Sequence, residues 1–166
     1  MFSFLRKSRC KNCGSKLPED AKFCPSCGTP VIQPFVQVQP VEKTDEEWKE
    51  YFRGILNRHF SQYTIQEDVP VTQLTGDTYD VFKLYKTRPN QVYKAEWGRP
   101  YDFVIYENGK VKAIIIIGDN RSYQNVKYLI AKMFAKKLQV PYIGFYKKFA
   151  NEEDYVVERI KMELEA

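Results

Sequence analysis

Long apolar runs are missing from this 166-residue chain. The longest, Ala113 to Ile117, has five residues, where a membrane-spanning helix needs roughly 20. The start, Met1 to Lys7, carries its charges after a short apolar stretch rather than before a longer one, which is not a secretory pattern. No membrane association and a cytoplasmic location are therefore expected. Histidine is nearly absent. His59 is the only one, so chemistries that need two histidines are closed to the chain, and without a Gly-x-Ser-x-Gly elbow a serine triad has no seat. His59 reads as structural. The eight glycines are scattered, none of them forms a phosphate-cradling loop, and Gly118-Asp119-Asn120 is only a strand-to-helix turn. Cysteine is absent after position 27, and all four lie at or before it.

Those four, Cys10, Cys13, Cys24 and Cys27, read C-x-x-C, ten residues, C-x-x-C, and the unit Cys-x-x-Cys-Gly occurs twice at a spacing of fourteen. Two residues between thiols let one tight turn aim both sulfurs at a point, and the following glycine tolerates a left-handed backbone. Two facing turns make a closed tetrahedral four-sulfur site, which suits one structural Zn²⁺; iron uses similar geometry. Disulfides or a redox dithiol fit poorly, because no secretory signal is present and a redox motif is expected once, beside a βαβ pattern. The stretch resembles the short zinc-ribbon family, with Leu17 to Phe23 as the connection between knuckles. Residues 8–30 are assigned to the ribbon, its small core being Leu17, Phe23 and Val31, so the metal should supply most of its folding free energy.

Prolines 30, 34 and 40 make residues 31–43 a semi-stiff linker, and a second domain is expected over 44–166. Thr44-Asp45-Glu46-Glu47 is a capping box, followed at helical spacing by Trp48, Tyr51, Phe52, Ile55, Leu56 and Phe60. A strand is expected near Tyr63 to Val71, then an unassigned middle. Tyr101 to Tyr106 and Val111 to Ile117 flank Asn108-Gly109, a hairpin signal, and the second run is apolar enough to be a central strand buried on both faces. Asn120 or Ser122 would cap a helix carrying Val126, Leu129, Ile130, Met133, Phe134 and Leu138. A strand Tyr142 to Tyr146 and a last helix from about Asn151, with Tyr155, Val156, Val157 and Ile160 inward, complete an α/β fold with a mixed sheet.

That order resembles the restriction-endonuclease-like, or PD-(D/E)XK, superfamily. The resemblance implies an Asp opening the second core strand, and an acid and a Lys one position apart in the third, together holding a divalent metal. Asp102 answers to the first, whereas Ile116 and Gly118 stand where the acid and the Lys belong. The site implied is degenerate, since Mg²⁺ usually wants one or two carboxylates and hydrolysis needs a group to activate water. An active Mg²⁺-dependent nuclease would have to recruit Asp119, with Lys112 or Lys127 as a substitute cation. The final section, Pro141-Tyr142-Ile143-Gly144-Phe145-Tyr146 followed by Asn151 and Asp154-Tyr155-Val156-Val157-Glu158-Arg159-Ile160, also resembles Firmicute proteins that pair zinc ribbons with degenerate nuclease-like domains, a likeness that implies a bacterial origin.

The net charge of +5 conceals an asymmetry. Between Asn120 and Asn151 lie seven cations (Arg121, Lys127, Lys132, Lys136, Lys137, Lys147 and Lys148) and no acid, whereas the following fifteen residues carry six acids. Arg121, Lys127, Lys132, Lys136 and Lys137 are the candidate nucleic-acid contacts. Aromatics make up 15% of the chain, and Tyr85, Tyr93, Trp97 and Tyr123, placed in loops or at element ends, are candidate stacking residues. The reading is a zinc-binding, non-catalytic binding or adaptor module on nucleic acid or a nucleic-acid-associated complex. The alternatives are the Mg²⁺-dependent nuclease using Asp102 and Asp119, and a protein-interaction module whose ribbon grips another polypeptide.

Overall fold

The computed structural model describes residues 9–10, 12–18, 21–31, 43–118 and 125–165. The 31–43 linker therefore lies almost wholly outside the described residues, as do Asp119, Asn120, Arg121, Ser122 and Tyr123. Helix α1 spans Asp45–His59. It starts where the sequence says, because the Thr44 hydroxyl accepts the Glu47 backbone N–H and the Glu47 carboxylate accepts the Thr44 N–H, satisfying two donors that a helix start leaves free. Trp48, Phe52, Ile55 and Leu56 form its buried stripe.

Four strands make the main sheet: β1 (Thr64–Val69), β4 (Tyr101–Glu107), β5 (Lys110–Gly118) and β6 (Tyr142–Tyr146), in that spatial order. β1 and β5 run antiparallel to β4, and β6 runs parallel to β5, so the sheet is mixed. The β4–β5 turn is Asn108-Gly109, with φ of 50° and 75°, the left-handed pair that an Asn-Gly hairpin turn requires. β5 is central, and Ala113 to Gly118 are buried. A parallel neighbour needs a crossover, and helix α3 (Val126–Lys137) supplies it.

Each face of the sheet has its own core. Phe103, Ile105, Ile115, Ile117 and Phe145 pack beneath α1 and helix α4 (Glu153–Glu165). Tyr101, Val104, Ile114 and Ile116 pack beneath α3. Three layers, α/β/α, result.

Helix α3 departs from its expected form. Its cap is Asn125, whose side-chain oxygen accepts the Lys127 N–H at 3.0 Å. Its buried residues are Ile130, Ala131, Phe134 and Ala135, while Val126 is 40% exposed. Alanines serve here because a small side chain lets the helix lie close to the strands: the Tyr101 hydroxyl donates to the Ala131 carbonyl at 2.9 Å. Asn151 stands two residues ahead of α4, close to the expected start of that helix. It is buried at φ 46°, and its side-chain amide donates to the Tyr146 and Phe149 carbonyls, closing the turn before α4.

The unassigned middle folds into helix α2 (Val71–Thr75) and a two-stranded antiparallel sheet of β2 (Tyr79–Val81) and β3 (Val92–Lys94), followed by a 3-10 turn at Ala95–Trp97. This hairpin rests on α3 through Phe82, whose ring meets Phe134 edge-on at 5.1 Å, and through buried Tyr93. Tyr93 is thus a core residue, 3% exposed, and is removed from the contact candidates. Among the described residues no helix is long and apolar enough to cross a membrane.

Candidate metal centre and polar cleft

The two cysteine turns are built alike. In the first, Cys10 N–H donates to the Ser15 carbonyl and Gly14 N–H to the Cys10 carbonyl, both at 2.8 Å. In the second, Cys24 N–H donates to the Thr29 carbonyl and Gly28 N–H to the Cys24 carbonyl, again at 2.8 Å. Both glycines have the left-handed backbone the motif needs, φ 73° and 69°. The thiols are free, and all four sulfurs lie within 4.8 Å of one another, with Cys10 to Cys27 and Cys13 to Cys24 each 3.5 Å apart. A tetrahedron with metal–sulfur bonds of about 2.3 Å has edges of about 3.8 Å, so the donor set fits one Zn²⁺ with no open position. Burial pushes the Cys27 thiol up to about 12 and raises Cys24 as well. Burial raises Cys13 too, but hydrogen bonds with Ser15, Cys27 and Cys24 together bring it down to about 6. Bound metal replaces protons that the buried thiols would otherwise keep.

The small core of this unit is shared with the larger one. Leu17 packs on the cysteines as expected, and Phe149, from the β6–α4 turn, joins it there. Phe23 turns the other way, toward the core under α4, with its ring 6.1 Å from that of Tyr155. Gly28 lies so close to the Tyr155 ring that a Cβ would come within 2.7 Å of it. The cysteine unit is therefore seated on α4.

The second polar feature surrounds Asp102. This carboxylate is 3% exposed and accepts three hydrogen bonds. Arg99 donates to both its oxygens, at 3.0 and 3.2 Å, and the Ile117 N–H donates to Oδ2 at 2.7 Å. Arg99 also donates to the Ile117 carbonyl at 3.0 Å and stacks on Tyr128 at 4.6 Å. Burial raises the Asp102 pKa, with Arg99 and the Ile117 N–H pulling against it. The cleft here, about 150 Å³, is lined by Asp45, Glu46, Lys49, Arg99, Asp102, Ile117 and Lys147. Its other charges are also paired, Lys147 with Asp45 and Lys49 with Asp68. Lys112 stands near the turn end of β5, 3.4 Å from Glu107, and cannot serve Asp102.

Among the remaining candidates, Lys127, Lys132 and Lys136 are exposed on α3 with no acid in ion-pairing range among the described residues, whereas Lys137 pairs with Asp80. Tyr85 and Trp97 are exposed, at 41% and 45%. His59 is bonded to Glu153 at 2.7 Å beside Arg58, joining the end of α1 to the start of α4.

The family model of the zinc-ribbon domain matches residues 9–31. The chain contains a zinc ribbon that binds one structural Zn²⁺ through Cys10, Cys13, Cys24 and Cys27. No curated protein and no solved structure matches the chain.

Sequence reasoning missed Arg99, which settles the state of Asp102. The available signal was Arg99-Pro100-Tyr101-Asp102, a cation just ahead of a strand whose second residue is an acid in an otherwise apolar run. It also missed Tyr155 and Phe149 as ribbon contacts, and for these no local signal exists, since each reads as an ordinary core aromatic.

Proposed function

We propose that the protein is a non-catalytic binding or adaptor module on nucleic acid or a nucleic-acid-associated complex, its α/β domain (residues 44–166) being a restriction-endonuclease-like core with a degenerate site. The observation that carries the nucleic-acid reading is the set of exposed lysines on α3, of which Lys132 and Lys136, four residues apart, share a face. Lys127, Lys132 and Lys136 are exposed with no neighbouring acid among the described residues, and a polyanion gains affinity by releasing counterions at such cations. The state of Asp102 supports the non-catalytic part. Its oxygens are taken by a guanidinium and a backbone N–H, and a guanidinium has no open position at which to activate water. Ile116 and Gly118 offer no replacement ligand.

The test is fluorescence anisotropy of labelled DNA and RNA against the zinc-loaded protein at about 50 and 200 mM salt. Binding should weaken steeply with salt, and Lys132→Glu with Lys136→Glu should lower both the affinity and the salt slope, the slope by about two. No binding at the lower salt would leave a protein-interaction role in its place. Metal-dependent cleavage that Asp102→Ala abolishes would establish a nuclease.

A further inference from the structure

The exposed large apolar side chains are not scattered. Seven are found among the described residues, and five of them, Tyr79, Val81, Tyr85, Val92 and Trp97, belong to the β2–β3 hairpin and the turn after it. Strand alternation explains why. Tyr93 and Phe82 point down onto α3, so Tyr79, Val81 and Val92, which alternate with them, point to solvent, at 58%, 59% and 45% exposure. Lys94 lies on the same outward side, its Nζ 4.5 Å from the Tyr79 ring centre and 5.7 Å from that of Trp97, so the two rings flank a cation.

The charge around this face is one-sided. The connection Phe82 to Gln91 contains Lys83, Lys86 and Arg88 and no acid, all three cations being exposed. Hydrogen bonds from Arg88 N–H to the Tyr85 carbonyl (3.2 Å) and from Phe82 N–H to the Gln91 carbonyl (3.4 Å) hold this connection. Of the nearby acids, Asp80 is taken inward by Lys137 and Glu96 lies 3.3 Å from Lys94, leaving Asp77 before the hairpin. The Asp80 to Lys137 pair also brings β2 beside the last turn of α3, next to Lys136.

We propose that this hairpin is a docking surface for single-stranded nucleic acid, with bases stacking on Tyr79, Tyr85 and Trp97 and phosphates meeting Lys83, Lys86 and Arg88. Flat exposed rings interleaved with cations suit a polyanion whose bases are free to stack, and a duplex hides those faces. The assignment rests on the nucleic-acid reading given above and sharpens it to a strand state and a place.

The protein carries its own reporter. Of the two tryptophans, Trp48 is 3% exposed and Trp97 is 45% exposed, so quenching of the accessible emission reads stacking at Trp97. The zinc-loaded full chain is titrated with a labelled oligothymidylate and with a blunt duplex of equal length at about 50 mM salt. The single strand should bind tighter than the duplex and quench the tryptophan. Trp97→Ala and Tyr85→Ala should each weaken it at least about fivefold, while Trp97→Phe, which keeps a ring, retains most of the affinity. These side chains are exposed, so circular dichroism and the melting temperature should not change.

If the alanine variants bind as the parent does while Lys132→Glu with Lys136→Glu does not, the stacking surface is refuted and the wider reading survives. If neither probe binds, both fail. Self-association that Val81→Asp dissolves, in a protein that ignores both probes, would make the face a protein contact and overturn the assignment.

Discussion

Gly14 and Gly28 occupy the same position of the repeated knuckle with nearly the same backbone, φ 73° and 69°, but their surroundings differ. Nothing lies within 4 Å of a Cβ built on Gly14, whereas one on Gly28 meets the Tyr155 ring at 2.7 and 2.8 Å. Alanine at either site incurs the left-handed penalty of about 1–2 kcal/mol. At Gly28 a second term is added. The Tyr155 ring is 6% exposed, sits edge-on to Phe145 at 6.1 Å, and has its hydroxyl fixed by Arg159 at 2.7 Å, so it cannot swing clear. Forcing a methyl into such packing costs about 1–3 kcal/mol more. Because folding of the ribbon and zinc binding are one equilibrium, both terms should appear in zinc affinity. Competition against a chelator should show Gly14→Ala weakened about 5- to 30-fold, and Gly28→Ala weaker still by a further factor of about 5 to 150. In a Tyr155→Ala background that excess should vanish. Equal losses for the two alanines, or an excess that persists without the ring, would show that the ribbon is not seated on α4.

Removal of the metal should release about one zinc per chain. The three α/β layers should keep their far-ultraviolet circular dichroism while the near-ultraviolet signal changes, since Phe23, Phe149 and Tyr155 lose their ribbon contacts; retention of every ribbon contact without metal would contradict this. At Asp102, substitution by Asn keeps an acceptor for the Ile117 N–H but strands Arg99, and a loss of about 2–4 kcal/mol is expected by denaturant unfolding, below the full value for a buried pair because Arg99 is 24% exposed. Glu153 is held below the usual carboxylate range by hydrogen bonds from Arg58 and then His59. Its folded value being the lower one, its contribution is complete above the unfolded value of about 4.3 and disappears as the pH falls through the folded value. The protection factor for amide exchange at the end of α1 should therefore fall on acidification, and Glu153→Gln should remove that dependence.

Features set by neighbours in sequence were the legible ones. The capping box at Thr44, the Asn-Gly turn and the paired knuckles each depend on contacts a few residues apart, and each lies where the chain says. The start of α3 was not legible, because Asn120, Ser122 and Asn125 are all competent caps and only the packing of Ala131 and Ala135 against the strands selects the last. The β2–β3 hairpin was hidden for a different reason. Its strands have three residues each, too few for a period to show, and what makes them strands is Phe82 and Tyr93 resting on a helix some forty residues later. The same cause undid the assignment of Tyr93, whose place in a turn-rich stretch says nothing about the aromatic surface beneath it.

Asp102 shows how a buried carboxylate can be held without a metal. A buried carboxylate must be neutralised, and a divalent cation or a guanidinium can do it. The two differ in what they leave behind: a metal keeps coordination positions open to water, whereas the planar fork of Arg99 fills the carboxylate from one side and spends a further N–H on the Ile117 carbonyl. The result ties the start of β4 to the end of β5 and to the Arg99 turn, with Tyr128 of α3 closing over the guanidinium. Such a lock rigidifies the end of the sheet from which α3 departs, and so fixes the helix that bears the exposed lysines and supports the hairpin.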